Sequence, residues 1–549
     1  MIRSKLSLLP DGLRESARLV ERGRSDRFTS SRRGERFPSL SLSVRRAWLE
    51  EYHPDHHADG KRLLQVGSAK GQLVATELAD CLESWPRPTL LQRRSWQPDL
   101  TTDVLIIGGG GAGTAAAIAA AQAGARVLMA TKLRHGDSNT IMAEGGMQVA
   151  DQECDSPLLH YLDVLGGGHF SNDPALVEAL VSDGPMVLRW LEQLGMSFDK
   201  FPTGRMQVRH GGGTSRKRLH SAGDVTGLEL MRVIQHHANQ MPAITVLPFA
   251  PAIELLTDEQ GRAVGAVLER LPQQQTVVVA AGAVILATGG LGRLHLGGFV
   301  TSNHYGATAD GLVMAYRAGL PLRDLPFNQY HPTGIAWPEE KAGLLLTEKF
   351  RSLGAPLLNR HGDPFVYALE PRDITTAAIL RECRDYDNGV TTPSGRVGVW
   401  LDTPMIDMLH GQGTLEREFP GRFQEFMHKG IDLRELPVLI YPTLHYQNGG
   451  VVIQPDGGTD MPGLFAAGEV TGGVHGQNRL MGNALLEILV FGLRAGASAA
   501  RFASTTRPAG QPGLFHLEPF LEELKQAQID PQRVAPLLLP VYGAVRSGN

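Results

Sequence analysis

Cysteine is nearly missing: Cys81, Cys154 and Cys383 are the only ones among 549 residues. Thiols so few and so far apart cannot frame a disulfide scaffold, and this chain alone cannot build an iron–sulfur cluster or a cysteine zinc site from them. Sparing use of cysteine suits a reducing compartment. A marked charge of either sign is missing too, because 53 basic residues face 57 acidic ones for a formal net charge of -4. That balance gives no general attraction to nucleic acid or to anionic lipid. No continuous run of about 18 apolar residues is visible, so a membrane is expected to be reached only through other proteins. The twin-arginine segment SRRGERF at 31–37 leads into FPSLSLSVRRAW, where an export signal needs a continuous apolar stretch. Asp11, Glu15, Glu21 and Asp26 disfavour a mitochondrial transit peptide, and the expected location is cytoplasmic.

What is present describes a globular chain. Hydrophobic residues make up 42% and charged residues 20%, which fits a soluble protein with a sizeable core, and the length allows about two to four domains. Residues 1–100 differ from the rest, being Arg-rich and then carrying EYHPDHHADGKR before a short helical pattern at ATELADCLESW. They are expected to form an extension, a solvated arm resting on the main body or on a neighbouring subunit. His53, His56 and His57 have the chemistry of metal ligands, but the arm is the plainer reading and no metal site is expected. No internal repeat is visible.

The main body opens with TTDVLIIGGGGAGTAAAIAAAQAGARVLMATK. VLII reads as a buried strand, the Ala-rich stretch as a helix ending near Gly124, and RVLMA as a second strand. Between strand and helix, Gly108, Gly110 and Gly113 fit G-x-G-x-x-G, the spacing of a dinucleotide-binding turn. Glycines let the backbone approach a pyrophosphate, while the helix N-terminus offers free N–H groups and a favourable dipole. The second strand ends Ala130-Thr131-Lys132, without the usual acid for the ribose hydroxyls. Two later segments, VVVAAGAVILATGG at 277–290 and GLFAAGEVTGG at 463–473, are further strands running into Gly turns. Gly289 lies in one of these turns, and Glu469 in the other is placed to hydrogen-bond a polyol chain. Three such turns in one chain resemble FAD-binding proteins.

A more specific resemblance rests on GGGGAG, SNTIMAEGG, SAGDVTG, ILATGG, NQYHPTG, LLTEKFRSLGA, EPRD, PTLHYQNGG, LFAAGEV and GQNRLMGNALLE, spread over about residues 100–500. Together and in this order they resemble the flavoprotein subunits of fumarate reductase and succinate dehydrogenase, with their relative L-aspartate oxidase. The resemblance implies an α/β fold: a Rossmann-like FAD-binding domain at 101–325 and 441–505, interrupted by an α+β capping domain at 326–440. An N-terminal extension at 1–100 and a short C-terminal helical segment at 506–549 complete the expected organisation. It also implies that the electron partner is a separate iron–sulfur subunit and, through such a complex, a place at the inner face of a membrane.

The same resemblance assigns the site. His331 and Thr347 would hold one carboxylate of a dicarboxylate substrate, and His445 and Arg479 the other. A dry pocket must offset both charges with aimed donors, and an Arg can bind a carboxylate through two parallel bonds. Arg372 of EPRD matches the family's proton donor, with Glu348 and Arg351 feeding it. The implied cofactor contacts are Gly108, Gly110, Gly113, Lys132, Asn139, Thr140, Glu144, Gly145, Gly146, Asp224, Gly289, Glu469, Asn483 and Leu485. Asp310 is expected to be scaffold or cofactor contact. Taken singly, His331 and His445 read as structural histidines, Arg372 and Arg479 as salt-bridge arginines, and Glu348 with Arg351 as an ion pair.

Departures from the family pattern matter as much. Where the membrane-bound relatives have the histidine that carries flavin covalently, this chain has Asn139, so FAD is expected to be held without a covalent bond; His135 lies four residues early. Glu144 stands where fumarate reductases tend to carry Glu and succinate dehydrogenases Gln. Gly211 of RHGGGTS occupies the place of the aspartate oxidase glutamate that recognises the substrate amine. Interconversion of fumarate and succinate, with reduction favoured, is the leading expectation. The alternatives are an aspartate oxidase, and a flavin electron-transfer protein that serves another acceptor.

Overall fold

The apolar runs VLII and VLMA form the centre of a parallel sheet, as strands buried on both faces should. In the computed structural model, which describes residues 5–91, 95–506 and 511–539, Ile244–Leu247, Val127–Ala130, Leu100–Ile107 and Gln275–Leu286 lie side by side and parallel. Leu464–Ala466 adds a further parallel pairing to the end of Gln275–Leu286. Ala263–Arg270 and Ala252–Thr257 complete the sheet with antiparallel pairings. The carboxyl ends of the parallel strands therefore gather at one edge, where open α/β sheets leave a crevice.

Helix Gly111–Gln122 follows the first strand and is buried along nearly its whole length. The long helix Asn483–Thr505 packs against it so closely that a Cβ on Gly492 would stand 2.6 Å from Ala112 O, and one on Gly496 2.2 Å from Ala116 O. Only the lack of a side chain permits that approach. By length and composition Asn483–Thr505 is apolar enough to cross a membrane, although Glu487 and Arg494 punctuate it and leave no uninterrupted apolar run. Its apolar residues are spent inside the protein, with Leu485, Leu486, Leu489, Val490 and Phe491 all buried.

A second, antiparallel sheet aligns Asn328–Trp337, Val438–Gln447, Val397–Leu401 and Leu357–Leu358 in that order. It has its own core, containing Phe350, Trp400, Phe419 and Phe423. The two long strands belong to both cores. Tyr330 and Leu444 pack in the first, whereas Ile335, Leu439 and Ile440 pack in the second. Side chains around residues 329–331 and 445–447 consequently sit at the junction.

The N-terminal extension is not a solvated arm. In helix Asp11–Arg32, Leu13, Ala17 and Val20 form a narrow buried stripe at helical spacing and join the second core. Arg24 and Arg27 pair with the fully buried carboxylate of Asp402 at 2.8 and 3.0 Å. Farther along, Leu64, Val66, Val74, Leu78 and Leu82 enter the first core. Helix Leu517–Gln526 lies near the end of the described chain, with Phe520 and Leu524 on the same core. Residues 1–4 and 92–94 of the expected extension, and 507–510 and 540–549 of the expected C-terminal segment, lie outside the described residues.

Candidate active site

Two cavities meet at the junction. The first is the crevice at the strand ends, lined by Gly108, Gly110, Lys132, Asn139, Thr140, Gly289 and Glu469. Its shape depends on missing side chains: Gly108 has φ +118°, and a Cβ there would stand 2.1 Å from Ala287 O. Gly113 does not line the crevice; it lies in the helix just behind, where a Cβ would meet Gly108 O at 2.0 Å, so its absence of a side chain brings helix and turn together. The backbone cradle and the helix N-terminus beside it fit a dinucleotide pyrophosphate.

Polar side chains order the crevice. Lys132 donates to Thr308 Oγ1 at 2.6 Å and Gly306 O at 3.1 Å and pairs with Asp310, which accounts for Asp310 as scaffold. The Asn139 amide donates to Asn303 Oδ1 and, at 3.0 Å, to Glu469 Oε2, while its oxygen accepts from His304 N at 2.7 Å. His135 is turned to Thr114, with Nε2 3.0 Å from Oγ1, and lines neither cavity.

The second cavity, of about 540 Å³, shares Asn139, Thr140 and Glu469 with the first and continues past Glu144, Gly145, Gly146, Asp224 and Leu485 to His331, Thr347, Arg372, His445 and Arg479. His331 and His445 come from neighbouring antiparallel strands, with ring centroids 5.1 Å apart. His331 Nδ1 lies 3.3 Å from Thr333 N and 3.1 Å from Thr333 Oγ1, so this nitrogen is occupied within its own strand. Nε2 is buried and has no partner among the described residues. Burial, then the nearby Arg372 charge, hold His331 well below its ordinary pKa, so the ring is neutral. His445 is held down in the same way, with Nδ1 2.8 Å from Ser302 Oγ.

The cationic end of the cavity is built around a residue outside the expected site. Gln329 Oε1 accepts from Arg372 Nη1 at 2.9 Å and from Arg479 Nη2 at 2.8 Å. Its amide nitrogen donates to Asn478 Oδ1 at 2.9 Å and Arg479 O at 2.6 Å. Two buried guanidiniums thus share one neutral oxygen. Burial and the Arg372 charge push Arg479 down to about 10, and its Nε has no partner among the described residues. Like charges held together in a dry site, with donors left over, call for an anion.

Behind Arg372 lies a continuous ion chain. Glu348 Oε2 is 2.9 Å from Arg372 Nε and 3.1 Å from Arg351 Nη2, and its other oxygen accepts from Gly212 N. Burial pushes this carboxyl up, but Arg351 and Arg372 outweigh it and hold the pKa below the usual range. Glu348 and Arg351 do not line the cavity. Nor does Gly211, where a Cβ would meet Gln148 Nε2 at 3.1 Å. Asn483 also sits outside both cavities, its Oδ1 3.0 Å from His160 Nε2.

At the opposite end, Glu144 pairs with Arg422 of helix Pro420–Met427. Burial raises Glu144 to about 7, with Arg422 offsetting part of the effect. Asp224 caps the same helix, accepting from Gly421 N at 3.1 Å and Arg422 N at 3.3 Å. The first-sheet and second-sheet bodies therefore touch on two sides of the cavity. Gln329 carries a weak signal in the sequence, its place beside HPTG; Arg422 carries none.

Comparison with known proteins adds to this geometry. An FAD binding domain family matches residues 103–485. A fumarate reductase (CoM/CoB) subunit of Methanothermobacter marburgensis is 37% identical over 435 residues, covering 77% of this chain and 76% of its own. An L-aspartate oxidase of Streptomyces coelicolor is 35% identical over 415 residues, covering 73% and 69%. Among solved structures, a FrdA variant of Escherichia coli quinol fumarate reductase superposes with a TM-score of 0.70 at 32% identity, covering 78% of this chain and 74% of that one.

Proposed function

Since the chain belongs to the FAD-binding oxidoreductase family that includes fumarate reductase flavoproteins and L-aspartate oxidases, we propose that it interconverts fumarate and succinate, with fumarate reduction favoured. One observation carries the reading: Arg372 and Arg479 converge on a single amide oxygen beside two neutral histidines, in a cavity continuous with the dinucleotide crevice. That arrangement suits two carboxylates held a short carbon chain apart. FAD, when bound, supplies the hydride chemistry, and Gly108, Gly110, Lys132, Asn139, Thr140, Gly289 and Glu469 would hold it.

The remaining work falls to side chains. His331 Nε2 and Thr347 bind one carboxylate, and His445 and Arg479 the other, each charge-assisted bond contributing on the order of 1.5–3 kcal/mol. Arg372 presents a guanidinium N–H to the substrate carbon. Arginine is a weak acid, yet the carbanion-like centre beside it is far more basic, and position makes the transfer usable. As Arg372 gives up its proton, Glu348 loses half of the cationic pair that keeps it ionised, so a proton entering by way of Arg351 and Glu348 restores Arg372. The Arg372 Nε hydrogen bond to Glu348 Oε2 at 2.9 Å supports the last step, and the ion pair at 3.1 Å sets Arg351 beside Glu348.

Electrons are drawn from a separate iron–sulfur subunit. Two observations support this: the chain has three cysteines, and its fumarate reductase relative in Methanothermobacter marburgensis is itself a subunit. Such a complex would place the chain at the inner face of a membrane. Asn139 makes no covalent link to flavin, so acid denaturation releases FAD into the supernatant. The assignment of 326–440 to a capping domain is part of the same proposal, supported by the separate core around Trp400 and Phe419.

The test is turnover by FAD-replete protein, with reduced viologen as donor and fumarate as acceptor, run beside succinate oxidation with a comparable acceptor. Malonate-sensitive fumarate reduction faster than succinate oxidation is expected. Absence of both reactions overturns the substrate assignment; faster succinate oxidation overturns only the direction. L-Aspartate oxidation, measured in parallel, is expected to be negligible because Gly211 offers no acid to an amine.

A further inference from the structure

Residues 40–61 run behind the two segments that carry the cationic end of the cavity. Leu40 N donates to Glu370 Oε1 at 2.8 Å, and Arg45 Nη2 lies 2.7 Å from Glu370 Oε2. The Glu370 side chain is fully buried and stands two residues before Arg372. Helix Leu42–Tyr52 then packs along helix Arg372–Arg384, with the Arg381 guanidinium 4.3 Å over the Trp48 ring. Next, Asp55 Oδ2 accepts from Asn328 N at 2.8 Å, and Asn328 immediately precedes Gln329, which joins Arg372 to Arg479. Both ends of this stretch are anchored, by Leu13, Ala17 and Val20 in one core and by Leu64, Val74 and Leu78 in the other. All of it precedes the family match, which begins at residue 103.

We propose that the N-terminal segment is part of the framework of the active site, and that Arg45 and Asp55 are positioning residues that set Arg372 and Gln329 through Glu370 and Asn328. The proposal rests on the assignment of Arg372 as proton donor. The mechanical reason is local. Pro371 N-caps the helix with no side-chain hydrogen bond, so what holds Glu370, next to it in the chain, contributes to the approach of its first turn to the cavity. On the far side Asp373 Oδ2 is 2.7 Å from His169 Nε2, so the turn is gripped from both flanks. Releasing one flank lets Arg372 drift, and a misplacement of about 1 Å at a reacting group costs on the order of a hundredfold in rate. A partial release costs less.

The experiment uses the full-length, FAD-loaded chain. Arg45→Ala is expected to keep its FAD and its melting temperature within a few degrees, to leave KM for fumarate within about twofold, and to lower kcat about tenfold. Arg45→Lys should recover most of that loss. Glu370→Gln should lower kcat similarly, and the double variant should be no slower than the worse single one, because the two side chains act through one contact. Hydrogen exchange in the first turn of the Arg372 helix should quicken in Arg45→Ala, a readout that needs no substrate. Unchanged kcat and exchange, additive losses, or a loss that only follows FAD content would each overturn the proposal. A parent protein that does not turn over fumarate would sink the functional reading instead, and the exchange measurement would still decide whether Arg45 sets the helix.

Discussion

The dinucleotide crevice and the cationic cavity beside it adjoin, yet they are built by opposite means. In the crevice the backbone does most of the work: glycines withdraw so that main-chain N–H groups come close, and a Cβ at Gly108 has no room beside Ala287 O. In the cavity the backbone retreats, and charged side chains from distant segments converge, Gln329, Arg372 and Arg479 meeting from three parts of the chain. Recognition by backbone is written in short contiguous motifs. Recognition by convergent side chains depends on strand register and helix placement, and its failure modes are electrostatic.

The sharpest way to separate the two is Arg372→Ala or Arg372→Lys. Fumarate reduction should fall at least about a hundred- to a thousandfold with FAD content and folding intact; activity within a few-fold of the parent would remove Arg372 from the mechanism. Gly108→Val is the mirror experiment. With φ at +118° and no room for a side chain, it should lower the FAD retained after desalting by about tenfold or more, the loss of activity following the loss of flavin. Full flavin content in that variant would mean that the crevice tolerates what the geometry forbids.

A smaller effect is expected at Gln329. Gln329→Met keeps the volume but removes the oxygen shared by Arg372 and Arg479, leaving two buried guanidiniums without their common acceptor. A fall in kcat of about tenfold together with a higher KM is expected; wild-type values would show that the substrate alone brings the arginines together. The smallest effect concerns Glu144. Its folded-state pKa, about 7, lies above the ordinary carboxylate value, so its contribution to stability is present below the unfolded pKa and is lost as pH rises toward and through 7. Glu144→Gln should therefore flatten the decline in melting temperature between about pH 5 and pH 8, even if breaking the Arg422 pair lowers all the values. An unchanged slope would assign the pH dependence to other buried acids, of which Glu487, raised to about 8 by burial and by Glu469, is one.

This contrast also explains what can be read from the sequence. The strand–turn–helix around GGGGAG is legible because its hydrophobic period and its glycines are adjacent. The division of Tyr330 and Leu444 to one core and Ile335 and Ile440 to the other is not, because a strand shared between two cores looks like any apolar strand. The N-terminal helix reads as solvated since Leu13, Ala17 and Val20 are a thin stripe in an otherwise charged segment. Arg422 leaves no trace at all: it reaches Glu144 from 278 residues away. Asn483 is an expected cofactor contact through its motif alone, and the fold adds what the motif cannot show, its Oδ1 lying 3.0 Å from His160 Nε2.

The stripe on that first helix has a consequence in time. A ribosome delivers Leu13, Ala17 and Val20 first, but Ile335, Trp400 and Ile440 of the core they join come only roughly 300–400 residues later, which at about 5–20 residues per second takes on the order of 15–80 s. Throughout that interval the nascent chain carries an apolar strip with no place to bury it. Early misassociation is then a hazard, and slow steps such as chaperone capture have time to act on a helix that lies just before the stretch packed along the helix of Arg372.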